Sequence, residues 1–86
     1  MHWLSFHEGQ KLKALRTPTQ KELLTRLIAA REKAGLTQQG LADRLQRHQS
    51  FVAKYEGGER RLEVTEFVQI CNALGITPGR VLDKLP

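Results

Sequence analysis

Between Leu36 and Gly58 the chain reads LTQQGLADRLQRHQSFVAKYEGG, and this stretch constrains the fold more than any other. Thr37 is a helix-capping residue type, and Leu41, Ala42 and Leu45 follow it on one helical face. A second short helix is expected from about His48 to Glu56. Its Val52 and Tyr55 lie three apart, and Gly57-Gly58 stops it. Only Gln46, Arg47 and His48 stand between the two. Short helices joined so tightly must cross steeply, and Ala42 has the small side chain that lets the second approach the first. Leu41 and Leu45 then share a core with Val52 and Tyr55. The crossing leaves the first turn of the second helix, His48-Gln49-Ser50, projecting outward without a core role.

Three further helices are expected. Thr17 caps the start of one, Pro18 fits its first position, and Gln20 stands three residues after Thr17 as in a capping box. Thr19 with Glu22 offers a second frame. Leu23, Leu24, Leu27 and Ile28 give this helix an apolar stripe, and Gly35 ends it. A fourth helix, about Glu63 to Leu74, carries Val64, Phe67, Val68, Cys71 and Leu74 at helical spacing and closes at Gly75. Thr77 caps a last short helix opened by Pro78, with Val81, Leu82 and Leu85 as its apolar edge. No segment alternates as a strand does, so the expected class is all-α, with five short helices over residues 17–86. Residues 1–16 keep no lasting period and are assigned as an N-terminal arm, flexible or partner-binding, through Trp3, Leu4 and Phe6.

Composition narrows the function. A chain of 86 residues has room for one domain, and a domain this small buries only about 60–65% of its unfolded surface, which favours association. Fourteen Lys and Arg against nine Asp and Glu give a formal charge of +5. That suits a polyanionic partner, and suits an ordinary basic surface equally. Cys71 is the only cysteine and there are three His; an internal disulfide is excluded, and neither a metal site nor a cofactor is expected. Met1 to Phe6 is too short for a signal peptide, and no apolar run approaches the roughly 20 residues that cross a bilayer. A soluble cytoplasmic protein is the expectation. There is no Ser/His/acid or Cys/His constellation and no phosphate-binding glycine loop, so an enzyme is not expected. Cys71 falls on the inner stripe of its helix.

Residues 19–85 resemble the helix-turn-helix domain of the phage-repressor/Cro superfamily, also called the XRE family. The resemblance rests on Leu36-Thr37-Gln38, Leu41-Ala42, Leu45, Gln49-Ser50, Val52, Glu56, Gly58 and Ala73-Leu74-Gly75, in a register without gaps from Arg31 to Thr77. It implies a compact five-helix bundle of the lambda-repressor-like type, with the motif formed by the second and third helices. It also implies a homodimer on a palindromic double-stranded DNA operator, its half-sites about 34 Å apart. Gln38 would then bond a phosphate at a helix N-terminus. Gln49 and Ser50 would lie in the major groove, where a Gln amide matches adenine N6 and N7. Lys54 would reach guanine or a phosphate, and Arg60 and Arg61 would follow the backbone. Arg47 and His48 would flank the groove, although His48 could equally be a helix cap. The corresponding Arg31 and Glu56 would form a structural ion pair outside the DNA-binding set.

Two departures from the family pattern stand out. Gly40 replaces a usual Glu in the first motif helix, and Gln46 replaces the usual turn glycine. With the second, a slightly rearranged turn is expected at Arg47 and His48. Val81, Leu82 and Leu85 are the candidates for a dimer surface, or else they close the core, with Leu85 the one expected to be exposed in a monomer. The resemblance leaves room for an antitoxin, whose toxin partner would take residues 1–16, or for a restriction–modification control protein. A module that keeps the fold without binding DNA is disfavoured by Lys54, Arg60 and Arg61.

Overall fold

Thr17 caps the first helix. Its hydroxyl accepts from the Gln20 backbone N–H at 3.2 Å, and Pro18 follows at the first helical position, which selects the first of the two frames. The computed structural model describes residues 17–86. The expected arm over residues 1–16 lies outside the described residues. Five helices follow in order: α1 (Pro18–Lys33), α2 (Gln38–Leu45), α3 (Gln49–Glu56), α4 (Val64–Leu74) and α5 (Pro78–Leu82). No strand occurs among the described residues.

The core is one cluster drawn from all five helices. Leu27, Leu41, Ala42, Val52, Tyr55, Ile70 and Cys71 retain no exposed surface, and Leu24, Phe51, Phe67, Leu74 and Val81 are buried around them. Burying an aliphatic or aromatic side chain of this size stabilises by roughly 1.5–3 kcal/mol each. α2 packs most extensively on α3 and also on α4, whereas α1 meets α3 and α5. Ala42 sits at the α2–α3 crossing with no exposed surface, as the short connection requires.

Two assignments are corrected. On α4, Val64 is 78% and Val68 37% exposed. The inward stripe is instead Phe67, Ile70, Cys71 and Leu74, with Glu66 buried beside it. This stripe keeps the i, i+3, i+4, i+7 spacing of a helical face but is rotated from the expected one. At the C-terminus, Val81 takes the core-closing one of its two expected roles, Leu85 is half-buried instead of exposed, and Leu82 is the exposed member of the three. The reason is that α5 stops at Leu82. Lys84 then turns left-handed at φ 55°, and the chain folds back toward α1. Arg26 of α1 holds that return through the carbonyls of Val81 and Asp83, at 2.8 and 2.5 Å, and the Thr19 hydroxyl donates to the Pro86 carbonyl. Thr77 occupies the cap position of α5 but its side chain makes no capping bond; its carbonyl receives the Arg80 N–H at 3.0 Å instead.

Candidate nucleic-acid interface

The short turn between α2 and α3 sets the geometry of the site. Thr37 caps α2 by accepting the Gly40 N–H at 3.0 Å, so the cap survives the glycine at that position. α2 ends at Gln46, whose backbone is left-handed at φ 56°, ψ 43°. The next N–H, that of Arg47, donates to the Ala42 carbonyl at 3.0 Å and the Gln46 N–H to the Asp43 carbonyl at 3.1 Å, the paired bonds of a Schellman motif. The chain therefore reverses where glycine is usual, with glutamine carrying the left-handed conformation. His48 is the N-cap residue of α3, yet its side chain makes no capping bond.

α3 buries Phe51, Val52 and Tyr55, which turns Gln49, Ser50 and Lys54 to the other side. Ser50 and Lys54 are exposed and Gln49 is half-buried. Gln49 donates its Nε2 to Oε1 of Gln38 at 2.8 Å, and Gln38 in turn donates its Nε2 to Oε1 of Glu56 at 3.0 Å. The Glu56 carboxylate, 5% exposed, is gripped by Arg31, whose Nε and Nη2 reach its two oxygens at 2.7 and 3.1 Å. Arg31 Nη1 also donates to the Leu36 carbonyl at 2.8 Å. The bond to Glu56 raises the Arg31 pKa further above its already high ordinary value. α1, the start of α2 and both ends of α3 are thus tied into one polar chain, with Gln49 as its outer member.

A second cluster sits beside this chain. Glu66, near the start of α4, is buried. Its carboxylate receives Nη1 of Arg47 at 2.8 Å, Nη1 and Nη2 of Arg60 at 2.8 and 2.9 Å, and the Glu63 backbone N–H at 2.9 Å. The Arg60 hydrogen bond, more than any other contact, holds the carboxyl down at about 2. The guanidinium carbons of Arg47 and Arg60 lie 3.8 and 4.9 Å from the Phe51 ring centroid, at cation–π distance.

Of the expected site residues, Gln38, Gln49, Ser50 and Lys54 share the outer face of α2 and α3. Arg47 and Arg60 are joined to one another through Glu66 while each keeps over a third of its side chain exposed, and Arg61 is exposed in the loop before α4. Arg31 and Glu56 pair away from that face. Arg44 turns to α4, donating to the Ala73 carbonyl at 3.0 Å. Sequence reasoning missed Phe51 and Glu66. For Glu66 a signal was present: it follows Glu63 by three residues, the spacing of a capping box. Cys71 is fully buried, and burial raises its thiol pKa, as for an inert core residue.

An all-helical bundle with two short helices crossing at a tight turn, and a polar outer edge on the second, is a helix-turn-helix domain. A family described as a helix-turn-helix domain matches residues 22–85. A solved structure described as an XRE-family like protein from Pseudomonas syringae pv. tomato str. DC3000 is similar to the chain. It shares 46% identity and a TM-score of 0.77, covering 85% of this chain and 89% of that one. No curated protein matches the chain. The chain belongs to the XRE-type helix-turn-helix family of DNA-binding proteins. No helix among the described residues is long and apolar enough to cross a membrane.

Proposed function

We propose that the protein is a transcriptional regulator that binds a specific double-stranded DNA operator as a homodimer and represses from it, in the cytoplasm. In this reading residues 17–86 are the DNA-binding domain, residues 1–16 a separate arm, and α3 the recognition helix. The observation that carries it is the Gln49–Gln38–Glu56–Arg31 chain. An outward-facing amide is of use for reading a base only if its orientation is fixed, and this chain fixes it from the buried side. Gln49 and Ser50 contact bases. The remaining N–H of Gln38 reaches a phosphate beside Lys54, His48 and Arg61. Exposed Leu82 on α5, at 47%, supports the dimer, because its neighbour Val81 anchors that turn to the core.

Selection of binding sites from random duplex DNA tests the proposal. A palindrome with two half-sites one helical turn apart supports a dimeric regulator. Absence of enrichment sinks sequence-specific binding, and an asymmetric single site sinks the dimer.

A further inference from the structure

Arg47, His48, Ser50, Phe51, Lys54 and Arg60 line an open cleft of about 420 Å³ between the α2–α3 turn and the loop after α3. The Glu66 carboxylate forms part of its support from beneath, and the exposures are unequal. The side chain of Glu66 is 10% exposed, those of Arg47 and Arg60 37% and 36%. The carboxylate is therefore underneath and the guanidinium groups are on top. Arg47, Arg60 and Lys54 stand against two carboxylates, that of Glu66 beneath and that of Glu63 beside Arg60, so the cleft keeps one net positive charge. The hydrogen bonds of Arg47 to the described residues use Nη1 alone, and those of Arg60 use Nη1 and Nη2. Arg47 keeps its Nε–H, both Nη2–H and one Nη1–H as donors, and Arg60 keeps its Nε–H and one Nη2–H. Stacking on Phe51 limits the rotamers of both side chains, so little conformational freedom is left to lose when an anion arrives.

We propose that this cleft seats a single backbone phosphate of DNA, gripped by Arg47 and Arg60, and that Glu66 and Phe51 are positioning residues that hold the two guanidinium groups for it. The proposal rests on the DNA-binding reading above and adds a built phosphate seat with a buried acid at its base. The acid makes the idea separable from simple charge attraction. Glu66→Gln raises the formal charge of the protein by one, so if Arg47 and Arg60 act only as diffuse positive charge, the variant binds DNA more tightly. If Glu66 positions them, it binds more weakly despite the added charge.

The experiment measures affinity of the full chain for a mixed-sequence duplex of about 30 base pairs, ample for two half-sites, across a salt series, with thermal melts of every variant. Glu66→Gln is expected to remain folded, to bind about tenfold more weakly, and to lose about 0.9 from the slope of log K against log salt. Equal or tighter binding overturns the proposal. Should Glu66→Gln fail to fold, Arg47→Lys and Arg60→Lys decide, since each keeps its charge and loses the planar fork. Weaker binding by either supports the seat, and unchanged binding by both overturns it. If the wild-type chain binds no duplex, the DNA-binding reading falls and the seat with it. If the wild type binds and Gln49→Ala changes its base preference while Glu66→Gln does not weaken it, only the seat falls.

Discussion

Gln49 and Gln38 are joined side chain to side chain, with the Nε2 of Gln49 donating to the Oε1 of Gln38 at 2.8 Å across the α2–α3 junction. Because Gln38 spends its own Nε2 on buried Glu56, neither amide can flip without breaking a bond. In the proposed reading, the second Nε2–H and the carbonyl of Gln49 are left to face the groove together, the donor and acceptor that one adenine edge requires.

Gln49→Ala is expected to relax preference at one base position, costing about 1–3 kcal/mol of specific binding. Gln38→Ala should relax the same position, because it removes the acceptor that orients Gln49. The double variant should cost less than the two single changes added together, with a coupling of roughly 0.5–3 kcal/mol in a double-mutant cycle. Additive effects on the specific operator would show that Gln38 does not orient Gln49.

Arg31 and Glu56 are expected to govern folding instead of base preference. Their side chains are 12% and 5% exposed and meet through two bonds. Arg31→Ala leaves a buried carboxylate with only Gln38 beside it. Losing one partner of such a pair costs about 3–5 kcal/mol, a large share of the stability of so small a domain. Urea unfolding would register it as a lower midpoint. A variant of normal stability with altered operator preference would contradict the structural assignment.

Acid stability should depend on Glu66. Its carboxyl titrates at about 2 in the folded protein against an ordinary value of 4.5. A lowered folded pKa contributes stability that is complete above the unfolded value and lost as pH falls through the folded one. Wild-type stability is therefore expected to decline across pH 4.5 to 2, and Glu66→Gln should show a shallower decline over that window. Parallel urea midpoints for the two proteins would exclude Glu66 as a source of acid sensitivity.

Much of the fold was legible because punctuation and period agreed. Thr17-Pro18, Thr37, Gly75 and the short Gln46–His48 connection delimit helices that are observed close to where they were expected. The inward stripe of α4 is ambiguous in the sequence because Val64 and Val68 satisfy a helical period as well as Phe67, Ile70 and Cys71 do. Hydrophobicity alone does not say which of two adjacent stripes meets the core. The outer face of α3 was legible for a simpler reason, that Val52 and Tyr55 claim the opposite side. The links among Gln38, Glu56 and Gln49, and the sharing of Glu66 by Arg47 and Arg60, were not legible. They join residues 6 to 19 positions apart, whose proximity only the packed helices create.

The turn at Gln46 offers the sharpest test of local geometry. Its φ of 56° and ψ of 43° lie in the left-handed region, which is unfavourable by roughly 1–2 kcal/mol for a residue with a Cβ. Gln46 is exposed, and its backbone N–H donates to the Asp43 carbonyl at 3.1 Å, a bond that does not depend on the side chain. Gln46→Gly is therefore expected to relieve the strain. Its gain is partly offset by the greater freedom of glycine in the unfolded chain. The net expectation is stabilisation by about 0.5–1 kcal/mol, read as a higher thermal midpoint with operator affinity retained. Gln46→Val should move the other way, because a β-branched side chain tolerates this conformation least. If the glycine variant melts lower than wild type, Gln46 contributes through its side chain, and the turn is not held by backbone geometry alone.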